Sequence, residues 1–208
     1  MSAGQRPQEF QFDLSGGHLA LDFANSISRR DSAEKSVDHV TSYRDLVSFA
    51  RQSGILSPNE AEALARDSGS ASRRGLHAMR AAIVLREAIF RAFLALANGK
   101  PASASDVELI GQAASDALRH RRIVRQDGGY RWQWDNDGDL ERIVWPIAQS
   151  AAELLTSPDL KKVRECQASD CYWLFLDNSR NRSRRWCSME ACGNREKARR
   201  HYHRQHAS

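Results

Sequence analysis

Two cysteine pairs of identical spacing, Cys166-x4-Cys171 and Cys187-x4-Cys192, stand in the last quarter of the chain, and its 208 residues hold no other cysteine. Thiolate is a favoured zinc ligand, and each short loop lets both sulfurs of a pair turn toward one metal. The pattern points to one structural zinc ion, Zn2+, held by Cys166, Cys171, Cys187 and Cys192. Two disulfides, or four unrelated thiols, are the alternative uses of these residues. His201, His203 and His206 offer a competing set in which an imidazole replaces one thiol, but four thiols already match in spacing. Met1 to Phe12 is mostly polar and lacks a charged-then-apolar leader, so export has no support and a cytoplasmic location is expected.

The charge around these cysteines is uneven. From Asn178 onward nine cations, Arg180, Arg182, Arg184, Arg185, Arg195, Lys197, Arg199, Arg200 and Arg204, face only Glu190 and Glu196. That tail carries +7 of a net +5, which leaves −2 for everything before it. A near-neutral body with a cationic end is the footprint of a polyanion-binding module on a larger domain. An arginine-rich solvated surface is the plainer reading, and arginine outnumbers lysine along the whole chain. The chain has no stretch of the apolar length needed to span a bilayer. It also lacks a phosphate-cradling glycine loop, a His-Glu-x-x-His helix and a nucleophile elbow, so an enzyme is not expected.

Most of the chain ahead of the cysteines reads as helix. Glu9 to Leu14 alternates weakly, as a short strand would, and Ser15-Gly16-Gly17 breaks it before a short apolar helix over His18 to Asn25. Asp31 to Asp38 reads as a polar loop. Tyr43 to Ser53 carries a helical stripe that stops at Gly54. Ser57-Pro58 opens the next helix, with serine at the cap and proline in the first turn, running to about Asp67. The longest helix is expected between Ser72 and Asn98, with Leu76, Met79, Ile83, Leu85, Ile89, Phe90, Phe93, Leu94 and Ala97 turned inward. Another starts near Ser105, with Val107, Ile110, Ala114 and Leu118 inward.

The period then changes. Tyr130, Trp132 and Trp134 alternate with Arg131 and Gln133 after Asp127-Gly128-Gly129, which predicts a β-hairpin with one aromatic face. Packing against a helix layer is the expected use of that face, and ligand stacking the alternative. Leu140 to Leu155 returns to helix, kinked or started at Pro146. Ser157-Pro158-Asp159 marks a boundary between residues 1–157 and 158–208. In the second part, a strand into Cys166 and an apolar run Tyr172 to Leu176 predict a hairpin. A helix of roughly Glu190 to Gln205 follows, capped by Ser188. Fold class is thus mainly α with a small β-hairpin, a helical N-terminal domain followed by a treble-clef-like zinc finger.

Cys192-Gly193-Asn194-Arg195, with the earlier Cys-x4-Cys pair, Arg184-Arg185-Trp186-Cys187, Lys197, Ala198 and Tyr202, resembles the CGNR zinc finger family. Gly17-His18-Leu19-Ala20-Leu21-Asp22-Phe23-Ala24-Asn25-Ser26 resembles the opening motif of the ABATE domain that commonly precedes this finger. The resemblance implies a bacterial, stress-linked transcription regulator. It also implies that the four cysteines are zinc ligands and that Arg195 is a motif residue, contacting phosphate or holding the finger together. DNA is the expected partner through the nine tail cations, with an RNA- or protein-binding module as the alternative. The front domain would sense a small-molecule effector or form a homodimer. Asp22 and Asn25, one helical turn apart beside glycines, either line a ligand site or secure helix ends.

Overall fold

The computed structural model describes residues 9–30, 32, 34–67, 73–135 and 138–206. These residues form seven α-helices and three small antiparallel hairpins. Helix α1 (Leu19–Ala24) leads into strands β1 (Ile27–Ser28) and β2 (Val37–Asp38), then α2 (Tyr43–Gln52), α3 (Pro58–Asp67), α4 (Arg73–Ala97) and α5 (Ala104–Leu118). Strands β3 (Arg121–Gln126) and β4 (Gly129–Trp134) precede a 3-10 turn, Leu140–Ile143, and α6 (Val144–Thr156). The last quarter holds β5 (Val163–Glu165), β6 (Leu174–Leu176), a π-helical turn Met189–Gly193 and α7 (Asn194–His206).

Local chemistry sets several of these boundaries. Ser42 caps α2 reciprocally with Asp45, satisfying two amides that a helix start leaves open. Gly54, at a φ of +78°, lets the chain turn away after that helix at no steric cost. Pro146 falls in the first turn of α6, where its missing N–H breaks no helical bond, so the helix starts there rather than kinking. The expected start of α4 at Ser72 lies outside the described residues.

α1, α4, α5 and α6 pack around Leu21, Phe23, Leu85, Ile89, Phe93, Ile110, Ile147 and Leu154, all at most 1% exposed. The same core takes in Val163, Leu174 and Leu176, so the β5–β6 hairpin rests on the helices rather than beside them. Arg86 of α4 is 2% exposed and donates to both carboxylate oxygens of Asp38, at 2.8 and 2.7 Å. This half-buried pair pins the β1–β2 hairpin to α4, and a fork-shaped guanidinium suits such a carboxylate.

Four expectations need correction. Glu9 to Leu14 forms no strand, since no segment among the described residues pairs with it. The segment expected to be a loop up to Asp38 contributes β2, because Asp38 is drawn in by Arg86. Leu76 is 55% exposed, Val107 43% and Leu118 51%, while Gly75, Asp106 and Ala117 take the inward positions one residue away. The aromatic hairpin exists, yet Tyr130 is 78% and Trp132 54% exposed, so the helices cover only its Trp134 end, through Trp145.

Candidate metal centre

Cys166 follows directly on β5, and its amide donates to the Trp173 carbonyl at 2.8 Å, extending the hairpin to the first ligand. Cys171 closes a tight turn by donating to the Ala168 carbonyl at 3.2 Å. The second pair approaches from a loop: the Gln167 amide donates to the Arg185 carbonyl at 2.9 Å, which brings Cys187 beside Cys166. The Cys187 amide then donates to the Cys166 sulfur at 3.4 Å. Cys192 sits in the π-helical turn, whose start is capped by the Ser188 hydroxyl accepting from the Ala191 amide. Gly193 leaves room for the exposed Met189 side chain to lie over the turn. A Cβ would come within 2.5 Å of the Met189 sulfur and within 3.4 Å of the Trp186 ring.

All four sulfurs lie within 4.8 Å of one another, and Cys187 Sγ is 3.6 Å from both Cys171 Sγ and Cys192 Sγ. A disulfide would need about 2.05 Å. Four sulfurs about 2.3 Å from a zinc ion form a tetrahedron with edges of about 3.8 Å, close to the two 3.6 Å separations and within reach of the 4.8 Å limit on the others. Each cysteine is at most 7% exposed, enclosed by Phe175, Trp173 and Trp186. Hydrogen bonds from Cys171, Cys187 and Cys192 hold the Cys166 thiol far below its usual value, while Cys166, Cys171 and Cys192 push Cys187 up. Four such groups ionise together only when a bound dication neutralises them. The residues therefore fit one structural Zn2+ with a closed, all-sulfur coordination sphere, and none of the three histidines belongs to the cluster.

The nine tail cations divide into two groups. Arg184 is turned inward: its guanidinium donates to the Trp186, Ser15 and Cys187 carbonyls and lies 4.5 Å above the Phe175 ring. Arg195 bonds Asp170 at 2.8 Å and the Cys192 sulfur at 3.3 Å, and Arg199 bonds Glu196 at 2.9 Å and Asp170 at 3.5 Å. These three brace the metal centre and the foot of α7. Arg180, Arg182, Arg185, Lys197, Arg200 and Arg204 are exposed, and none forms a side-chain ion pair among the described residues. α7 itself buries no residue, so it stands out from the centre as a solvated cationic rod. Asp170, inside the first x4 loop, escaped the sequence reading. An acid within a ligand loop of an otherwise basic module was the available signal.

Asp22 and Asn25 serve the backbone. Asp22 is 9% exposed and accepts the Gly16 amide at 2.8 Å. Burial raises its carboxyl to about 7 against the opposing pull of the Gly16 and Gly17 amides. Asn25 accepts the Leu174 amide at 2.9 Å and donates to the Leu174 carbonyl at 2.8 Å. The Leu176 amide donates to Gly16 at 2.9 Å. Gly16 and Asn25 thus complete the free edge of β6 as a third strand would. A side chain at Gly16 would meet the Asp22 carboxylate at 2.7 Å, which explains the glycine. The Trp173 indole adds a bond to the Ile27 carbonyl at 3.0 Å.

Two family profiles match this chain. The ABATE profile, described as "Putative stress-induced transcription regulator", covers residues 17–158, and the CGNR zinc finger profile covers residues 162–205. No curated protein gives a significant match. The chain belongs to the ABATE family and carries a C-terminal CGNR zinc finger.

Proposed function

We propose that this member of a regulator family binds duplex DNA through its zinc finger, as a transcription regulator and not as an enzyme. The observation that carries the reading is the helix α7, which buries no residue, stands on the four-cysteine centre and exposes Lys197, Arg200 and Arg204. A cationic helix free of the core can enter a groove, while Arg180, Arg182 and Arg185 from the preceding loop grip flanking phosphates. Arg184, Arg195 and Arg199 act from behind, holding the platform. Four thiolates fill the coordination sphere of the zinc and leave no position for a substrate. Residues 1–157 would form the supporting domain and 158–208 the binding module, clasped together at Asn25 and Gly16. Such a protein works beside the chromosome, inside the cell. No helix among the described residues is long and apolar enough to cross a membrane.

Six exposed cations set an upper limit to the salt response. If all six meet phosphate, the plot of log affinity against log salt falls with a slope of about −5. Gel shifts of the zinc-loaded full chain on random-sequence duplex, across a salt series, measure it. A Lys197→Ala, Arg200→Ala, Arg204→Ala triple variant should bind more weakly and with a shallower slope. Absence of duplex binding at low salt, or an unchanged slope in the variant, defeats the reading.

A further inference from the structure

The β3–β4 hairpin stands away from the core with an uncovered aromatic face, far in sequence from the metal centre. Its register puts Arg121 opposite Trp134, Ile123 opposite Trp132 and Arg125 opposite Tyr130, so these six residues share one face. The base of that face is fixed. Trp134 and His120 both pack on Trp145 of α6, with centroids 6.3 and 3.8 Å away, and the Asp135 amide donates to the His120 carbonyl at 2.8 Å. Arg121 lies 5.1 Å above the Trp132 ring and 5.3 Å above Trp134. The outer half, Ile123, Trp132 and Tyr130, is 61%, 54% and 78% exposed.

Burial of rings is the usual use of such a ladder, and here the outer rings have none. The two strands carry four arginines, Arg121, Arg122, Arg125 and Arg131, and no acid. The nearest acids are Asp127 in the turn and Asp135 at the base, where Asp135 is paired with Arg122 at 2.5 Å. Exposed rings interleaved with cations are complementary to a ligand that is both anionic and aromatic. We infer that this face binds single-stranded nucleic acid, stacking unpaired bases on Trp132 and Tyr130 while Arg125 and Arg121 meet the backbone. Alternate residues of a strand leave it about 7 Å apart, so each ring takes its own base. A second copy of the chain is disfavoured as occupant, because two opposed faces would bring Arg121 and Arg125 against their like. Duplex is disfavoured because its bases are already stacked and leave the rings unused.

The site is separate from the finger, and its test is arranged to tell the two apart. Fluorescence anisotropy of the zinc-loaded full chain is measured with labelled (dT)20 and with a labelled 20-base-pair duplex. Wild type should bind (dT)20 with quenching of tryptophan emission. A Tyr130→Ala, Trp132→Ala double variant should bind (dT)20 at least about tenfold more weakly and bind duplex within twofold of wild type. An Arg125→Gln variant, with both rings intact, should also weaken the single strand selectively. The rings are exposed, so an unchanged melting temperature checks that the variants fold. No binding of (dT)20 by wild type, a smaller loss in the double variant, or an equal loss for duplex overturns the proposal.

Discussion

Replacing Asn25 with alanine should release the hairpin that carries the first zinc ligand from the helical core. Asn25 is 2% exposed and satisfies both the amide and the carbonyl of Leu174, itself fully buried. In Asn25→Ala both groups lose their partner, and a buried unsatisfied backbone group costs about 1–3 kcal/mol. Two of them, with partial relief from a water entering the gap, give a loss of about 2–5 kcal/mol. Asn25→Asp separates the parts: the carboxylate still accepts the Leu174 amide but opposes the Leu174 carbonyl. The assay is urea unfolding of zinc-loaded full-length protein, with hydrogen exchange read at the Leu174 and Leu176 amides. Both variants should unfold at lower urea and exchange faster at Leu174, and both should retain zinc, because Asn25 touches no ligand. Stability of Asn25→Ala within about 0.5 kcal/mol of wild type, with Leu174 still protected, would refute the role given to this side chain.

Asp22 gives a pH prediction with a definite sign. Its carboxyl rises from 3.8 to about 7 on folding, chiefly through burial, so the folded chain keeps a proton that the unfolded chain has released. That contribution to stability is fully present below about pH 4 and is lost as pH rises through about 7, at most about 4 kcal/mol. Asp22→Asn keeps the acceptor for Gly16 and removes the titration. The variant should therefore gain on wild type in denaturation experiments as pH rises from 5.5 to 7.5, whereas a constant difference would count against it. Asp170→Ala should leave global stability within about 1 kcal/mol, since its bridges to Arg195 and Arg199 are part-exposed. Hydrogen exchange along α7 should nevertheless quicken, because α7 has no buried residue to hold it. Protection equal to wild type would show that something else fixes the helix.

The metal centre was legible because zinc ligation fixes residue type and spacing together. Two Cys-x4-Cys pairs in a chain with no other cysteine leave few readings, and the sulfurs meet within 4.8 Å. The helices were legible because caps and periodicity are local: Ser57-Pro58 and Gly54 mark ends that the fold respects. Faces were harder to read. Leu76, Val107 and Leu118 obey helical spacing yet lie one position out of phase with the buried stripe, where Gly75, Asp106 and Ala117 fit instead. Asp106 is taken inward by its pairing with Arg91 at 2.5 Å, a choice that hydrophobicity alone does not register. The β1–β2 hairpin was hidden for the same reason, since an ion pair between buried Arg86 and half-buried Asp38 holds two very short strands. Asn25 reaches a backbone 149 residues away, beyond any local signal. The hairpin of Tyr130 and Trp132 was recognised by its period, but no pattern says whether another layer arrives to cover a face.

Zinc K-edge X-ray absorption on reduced, full-length protein reads the coordination of the metal directly. One equivalent of zinc surrounded by four sulfur atoms at about 2.3 Å is the predicted result, the shell that Cys166, Cys171, Cys187 and Cys192 enclose. A nitrogen or oxygen neighbour in that shell, or protein that folds and stays folded with well under one equivalent of metal, would contradict it.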